Sequence, residues 1–332
     1  MKTKIVYVAV CDSNHNYLEQ AAVSACSVKR YNPKAEILLL VDDRTFAEID
    51  NGRTLIKKYV SDIIEVLVPK EYDNKLRSRY IKTTVRENVQ GDYLFIDTDT
   101  VITKSLDEID SCSYDVAAVL DMHLPLDKTS YLDEVKSQAN KMGWSLISKD
   151  YSYYNSGVMY VKDTPIAHML YKHWHENWLL KAKLGLYTDQ PALAFANNQC
   201  GYVIGELNGK WNCQLLVNGL PFLSEALIIH YFSSGINKKM KQSPYIFADN
   251  RLLDNVKQHQ ALSKDLLEAI ESPKTKAFPL GKVMLVGGED FDVFRSDVVK
   301  FIYSRYYYYP KMFSAIKYLV DIYYWLKRMK SK

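Results

Sequence analysis

Cysteine is scarce in this chain: five in 332 residues, at Cys11, Cys26, Cys112, Cys200 and Cys213, odd in number, far apart and never as Cys-x-x-Cys. That spacing argues against a disulfide framework or a zinc site and points to a reducing compartment. Glycine (13) and proline (10) are also few, which excludes collagen-like and disordered chains. No run of about 18 apolar residues occurs, so no bilayer-spanning segment is expected. Ile5–Val10 is cut short by Asp12 with no small-residue cleavage site behind it, so no leader peptide is expected either. An excess of one charge is lacking as well. Lys and Arg number 43 against 39 Asp and Glu, a net +4, too little for a polycation that would take nucleic acid as partner. The glycine-rich loop that a nucleotidyltransferase needs after its first strand is missing, and Gly287-Gly288 comes too late to serve.

What is present is an ordinary globular composition, 48% hydrophobic and 25% charged, in a length that suits one catalytic core plus an appendage. Ile5–Val10, Glu36–Val41, Ile63–Val68 and Tyr93–Ile96 read as strands, separated by helical stretches near Tyr17–Lys29, Phe46–Tyr59 and Leu76–Val89. Such alternation predicts an α/β fold with a mostly parallel central sheet and helices on both faces. Ligands collect at the carboxyl ends of such strands, where Asp12, Asp42 and Asp97 fall. Further on, Tyr114–Leu120 reads as a strand, 121–150 as an insertion or lid, Asn155-Ser156-Gly157 as a turn opening a strand, Ile166–Lys183 as a helix and Ala226–Tyr231 as a late short strand.

Asp97-Thr98-Asp99 follows an apolar strand directly, so both carboxylates can face one cation. Oxygen ligands of this kind suit Mg²⁺ or Mn²⁺ shared with a diphosphate. The plainer alternative is two solvated acids in a turn.

Four segments in this order resemble the retaining glycosyltransferases of family eight, from about residue 4 to 235. Ile5–Asn14 is similar to the first strand and uracil-binding turn, Leu94–Asp99 to the DxD strand, Tyr153–Met159 to the acceptor-side Asn-x-Gly segment, and Thr188-Asp189-Gln190 to the Asp-Gln motif. The resemblance implies a GT-A type nucleotide-sugar-binding fold over residues 1–240, with a helical C-terminal extension at 241–300 and a tail at 301–332. It implies that Val8, Val10 and Asp12 surround the base and ribose of a UDP-sugar and that Asp97, Asp99 and His230 hold Mn²⁺ or Mg²⁺, with Thr98 between the two acids. Tyr80 and Lys82 match a Tyr-x-Arg pair; Lys82 keeps the cation without the bidentate fork, which neighbouring Arg79 could supply. Lys238 would be a diphosphate ligand, although the family's Gly and Lys come two residues late here, at Gly235 and Lys238, and no Pro-Trp follows. Asp189 and Gln190 are implied at the anomeric carbon, Asn155 and Gly157 at sugar hydroxyls, and Asp121 at the donor sugar. Thr188 as a helix cap is the bland alternative for the Asp-Gln motif.

Breaking a sugar–phosphate bond leaves negative charge on the diphosphate and builds positive charge on the anomeric carbon. A divalent ion answers the first, so no strong protein acid is required at the leaving group. Retention implies either front-face attack within an ion pair or double displacement through a nucleophile such as Asp189.

The tail is distinctive. Residues 295–332 carry nine Lys and Arg against Asp297 and Asp321 alone, and eleven aromatics lie between Phe301 and Trp325. A helix starting at Pro310 would lie in an anionic membrane interface, bringing the enzyme to a lipid-linked or oligosaccharide acceptor of surface-glycan (lipopolysaccharide or capsule) synthesis. The location this implies is cytoplasmic, peripheral on the inner face of the membrane; packing of that helix on the core is the alternative. Two rival functions remain. Asp97–Thr100 also fits the DxDxT of a haloacid-dehalogenase-type phosphatase, with Lys282 and Glu289-Asp290 as its later motifs, and a non-catalytic carbohydrate- or membrane-binding protein could use the same scaffold.

Overall fold

The β-branched and aromatic run after Lys4 becomes the centre of the sheet because it buries side chains on both faces. In the computed structural model, which describes residues 1–129, 131–144, 151–215, 217–232, 245–276 and 296–330, β1 (Lys4–Ala9) pairs in parallel with β2 (Ile37–Val41) on one side and β4 (Tyr93–Ile96) on the other. β3 (Asp62–Glu65) extends β2 in parallel. Beyond β4 come β7 (Tyr154–Val161), antiparallel to both neighbours, then β6 (Val116–Leu120) and β8 (Ile204–Glu206), giving the order β3-β2-β1-β4-β7-β6-β8. A second, small sheet joins β5 (Thr100–Ile102), β10 (Ile228–His230) and β9 (Cys213–Gln214). Its register sets Thr100 opposite His230, which fixes that histidine beside the turn after β4.

Helices cover both faces. α1 (Tyr17–Tyr31) packs in one apolar core with α8 (Asn250–His259) and α9 (Lys264–Glu271), which contribute Leu253, Val256, Leu266 and Ile270. On the other face α3 (Asn74–Thr83), α6 (Pro165–Lys183) and α7 (Gln190–Gln199) enclose Ile81, Trp174, Trp178 and Leu193. The expected boundary near residue 240 falls at 233–244, outside the described residues.

Three expected elements differ in detail. The helix expected over Leu76–Val89 breaks at Thr84, whose hydroxyl donates to the Tyr80 and Ile81 carbonyls at 2.9 and 3.2 Å, so only the single turn α4 (Val85–Asn88) follows. The stretch Phe46–Tyr59 splits because α2 (Asp43–Asp50) runs into Gly52 at φ +123°, and a 3₁₀ turn over Thr54–Lys58 resumes. Asn155-Ser156-Gly157 is no turn: β7 runs straight through it, and all three residues are buried between β4 and β6.

Polar ties hold the loop after β1. Arg53, paired with buried Glu19 (Nε to Oε1 3.0 Å), donates to the carbonyls of Asp12 at 3.0 Å and His15 at 2.8 Å. From α8, Lys257 donates to the carbonyls of Ser13 and His15, and Asp254 accepts from Asn16 at 2.8 Å.

Within 121–150, expected as an insertion or lid, the described residues form α5 (Leu132–Met142), which ends on left-handed Gly143. Lys181 anchors it: the buried ammonium donates to Gln138 Oε1 at 2.8 Å and to Thr188 O and Oγ1 at 3.0 and 3.1 Å. Desolvation lowers the pKa of Lys181 to about 8. The tail forms helices over Asp297–Tyr308 and Pro310–Lys330, the second starting at the expected proline. They touch through Tyr306 and Phe313, with ring centroids 5.0 Å apart. Among the described residues no helix is long and apolar enough to cross a membrane.

Candidate functional site

The turn between β4 and β5 leaves the sheet at its carboxyl edge and carries Asp97 and Asp99 into one spot, and β10 brings His230 to them. One ligand atom of each lies within 4.8 Å of the others, an arrangement that could hold a divalent cation. His230 is buried, its Nε2 3.1 Å from Asp99 Oδ1, and its ring stacks on Phe232 at 4.0 Å.

Positive charge meets these acids from α3. Lys82, only 5% exposed, sets its ammonium 3.0 and 3.3 Å from the two oxygens of Asp97 and 3.8 Å from Asp189, over the Phe95 ring. Arg79 pairs with the other oxygen of Asp189 at 2.9 Å. Asp189, just before α7, is held there by the indole of Trp174, which donates to its carbonyl at 3.1 Å, and by Ser156, whose hydroxyl donates to its carboxylate at 2.8 Å. Burial alone would raise the pKa of Asp189, but Arg79, then Lys82 and the Ser156 hydroxyl hold it at about 2. Asp97 moves the other way: burial pushes it up, Lys82 opposes, and Asp99 pushes it further.

An open cavity of about 350 Å³ leads from here along the end of β1. Val8, Val10, His15, Tyr17, Asn74 and Arg79 line it, down to Asp97, Thr98 and Asp99. Asp12 stands beside that wall rather than in it. Its carboxylate accepts from Asn14 N and His15 Nδ1 at 2.8 and 2.7 Å and from Asn74 Nδ2 at 2.8 Å, so it orients the two side chains that do face the cavity. Asp42, expected at the same edge, is withdrawn from it: fully buried, it caps α2 through Thr45 N at 2.9 Å and pairs with the buried guanidinium of Arg77. Thr188 does not cap α7; its hydroxyl donates to Gln138 Oε1 at 3.1 Å, and the cap position is Asp189.

Beside the Asp97, Asp99 and His230 cluster, Asn155 donates to Asp121 Oδ1 at 2.7 Å, and Asp121 Oδ2 accepts from the Tyr131 hydroxyl. Gln190 opens α7 with its amide donating to the Tyr154 carbonyl at 3.4 Å. Lys238 lies outside the described residues, as do Lys282 and Glu289-Asp290 of the phosphatase alternative. That alternative also needs its acid pair on the first strand, whereas β4 comes after three strands of the same sheet.

Gly157 is where backbone must approach closely. A Cβ there would sit 2.5 Å from His230 Cε1, 2.8 Å from Asp97 Oδ2 and 2.9 Å from Asn155 Oδ1. Gly157→Ala is therefore expected to cost about 1–3 kcal/mol in urea unfolding and to weaken Mn²⁺ binding, since all three side chains must shift. Unchanged values in both titrations would contradict the crowding.

Residues that the sequence reading passed over include Ser156, Asn74 and Asn212. Asn212, between Trp211 and the first residue of β9, is fully buried, its Nδ2 donating to Asn155 Oδ1 at 2.9 Å. The only signal for it was an amide set between apolar residues next to a short strand.

The family model described as glycosyl transferase family 8 matches residues 8–241. Among solved structures, the apo bifunctional glycosyltransferase WbbM superposes with a TM-score of 0.52 and 16% identity, over 83% of this chain and 51% of that one, so the chain spans about half of WbbM. An active-site mutant of LgtC superposes with a TM-score of 0.50 and 15% identity, over 81% of this chain and 99% of that one. At such identities the likeness is one of fold. No curated protein sequence matches the chain.

Proposed function

Because the chain belongs to glycosyl transferase family 8 and is therefore a glycosyltransferase of GT-A type fold, we propose that it moves a hexose from a UDP-sugar to a surface-glycan acceptor, with retention and with Mn²⁺ or Mg²⁺ at Asp97, Asp99 and His230. The observation that carries this reading is the convergence of those three side chains at the inner end of an open cavity. Two carboxylates and one imidazole fit a hard divalent ion. Burial and the mutual repulsion of two acids leave the site short of positive charge, which the raised pKa of Asp97 registers. A bound ion there supplies Lewis-acid neutralisation of the diphosphate leaving group.

The chain's own residues do the rest. Arg79 lines the cavity and is one-third exposed, so its guanidinium is open to a diphosphate, as is Lys75 on the same wall, while the buried Lys82 bridges Asp97 and Asp189. Asp189 stays ionised at any physiological pH and stabilises the positive charge that grows on the anomeric carbon. Its low basicity and three partners suit that electrostatic part better than a covalent one, which favours front-face attack. Asp12 fixes His15 and Asn74 along the part of the cavity nearest β1, where the base and ribose would lie beside Val8 and Val10.

A thermal-shift series with nucleotide sugars, with and without Mn²⁺, tests the assignment. UDP-hexoses with Mn²⁺ should raise the midpoint through ligand linkage. A flat response to every UDP-sugar in the presence of Mn²⁺ would sink it.

We also propose that the tail docks on an anionic bilayer surface, placing the enzyme on the cytoplasmic face of the membrane. Tyr318, Leu319, Tyr323, Trp325 and Leu326 are exposed along the helix Pro310–Lys330, in a segment rich in Lys and Arg. At about 1 kcal/mol per basic residue near the surface, removing residues 296–332 is expected to weaken binding to anionic vesicles by at least about a hundredfold and to spare UDP-sugar hydrolysis. Equal sedimentation of both forms with vesicles would refute it.

A further inference from the structure

Behind the proposed ion site runs a chain of buried amides whose orientation can be derived from its two ends. Asn155 touches a group that only accepts, the Asp121 carboxylate at 2.7 Å, and one that only donates, the Gly157 N–H at 2.9 Å. Its Nδ2 must therefore face Asp121 and its Oδ1 must face Gly157; the reverse would create two repulsive contacts at once. That oxygen also meets Asn212 at 2.9 Å, so Asn212 presents its Nδ2 there and turns its own Oδ1 to His230 Nδ1, 3.1 Å away. An amide oxygen can only accept, so Nδ1 carries a hydrogen; Asp99 Oδ1, 3.1 Å from Nε2, also only accepts, so the Asn212 contact fixes Nδ1 without deciding what Nε2 carries before an ion binds.

We propose that Asn212 is the positioning residue for His230: it holds the Nδ1–H tautomer and the ring plane, so that Nε2 is the nitrogen turned toward Asp99 and the ion. Asn212 is fully buried and Asn155 and His230 nearly so, which leaves no competing water to scramble the order. A ligating imidazole is commonly fixed through its second nitrogen in this way, and loss of such a partner typically costs 10–100-fold in metal affinity. Asn155 thereby ties Asp121 on one side to Asn212 on the other. The inference rests on the reading of Asp97, Asp99 and His230 as an ion site, but the tautomer itself can be measured without any ion.

The test uses the full chain and two variants, Asn212→Leu and Asn212→Asp. Nitrogen-15 imidazole spectra of the metal-free protein, with the His230 signals among the seven histidines identified by loss in His230→Gln, should show a hydrogen on Nδ1, whatever Nε2 carries beside Asp99. Mn²⁺ affinity, followed by the free-ion electron-spin signal, should fall about 10–100-fold in Asn212→Leu. It should fall less in Asn212→Asp, which still accepts from Nδ1 although its second oxygen now meets Asn155 Oδ1. A wild-type ring with no hydrogen on Nδ1, equal Mn²⁺ affinity in the Leu variant, or an equal loss in both variants would overturn the proposal. Should the wild type bind no Mn²⁺ at all, the ion-site reading fails, and the nitrogen spectra still decide the relay.

Discussion

Asp99→Ala is expected to lower sugar transfer by at least about a thousandfold while leaving the protein folded. A divalent ion at the leaving group supplies several kcal/mol, and each 1.36 kcal/mol is a factor of ten. Asp99 is the acid nearest His230 and the most enclosed of the pair, with a side chain 13% exposed against 31% for Asp97. Its loss removes one oxygen ligand and the partner of Nε2 together. The check is UDP release in saturating Mn²⁺ with and without acceptor. Activity within tenfold of wild type would move the chemistry away from this cluster.

Lys82→Met is expected to be the most damaging single change to stability near the site. Removing one member of a buried ion pair typically costs about 3–5 kcal/mol, because the partner is left charged and unpaired. Here Asp97 is nearly one-third exposed, so the low end, about 3 kcal/mol, is the expected loss in urea unfolding at neutral pH. The sign with pH follows from Asp189. Its folded pKa of about 2 lies below the ordinary 3.8, so its contribution is present above 3.8 and vanishes as pH falls through 2. That contribution is on the order of 2 kcal/mol, shared among Arg79, Lys82 and Ser156. The gap between wild type and Lys82→Met should therefore begin to narrow above pH 3.8, as Asp97 with its raised pKa takes up a proton, and narrow further from 3.8 toward 2, where a protonated Asp189 no longer needs the ammonium. A gap that stays constant over that range would show that Lys82 contributes packing rather than charge.

Much of this architecture could be read from local pattern. Strands such as Ile37–Val41 are continuous apolar runs ended by acid, and a parallel sheet follows from their alternation with helices. The acid pair was legible because it sits directly after such a strand. What local pattern did not carry was pairing at long range. Nothing near Asp42 in the chain says that Arg77 will neutralise it, so strand-end position alone made it look available. Lys82 looked like a substitute for a diphosphate-binding arginine, yet packing of α3 on the sheet buries it between Asp97 and Asp189. Asn155-Ser156-Gly157 has turn composition, but Ser156 and Gly157 are demanded by Asp189 and His230 crossing close to β7, and tertiary contact overrides propensity.

The helix Asn250–His259 lies past residue 241, where the match to the family ends, yet it grips the backbone of Ser13 and His15 and the side chain of Asn16. A chain trimmed to the matched segment would lose those three anchors and leave the apolar side of α1 that Leu253 and Val256 cover open to water. The rigidity of the cavity edge after β1 is thus outsourced to sequence beyond the matched segment, and a minimal working enzyme is expected to run to at least residue 271.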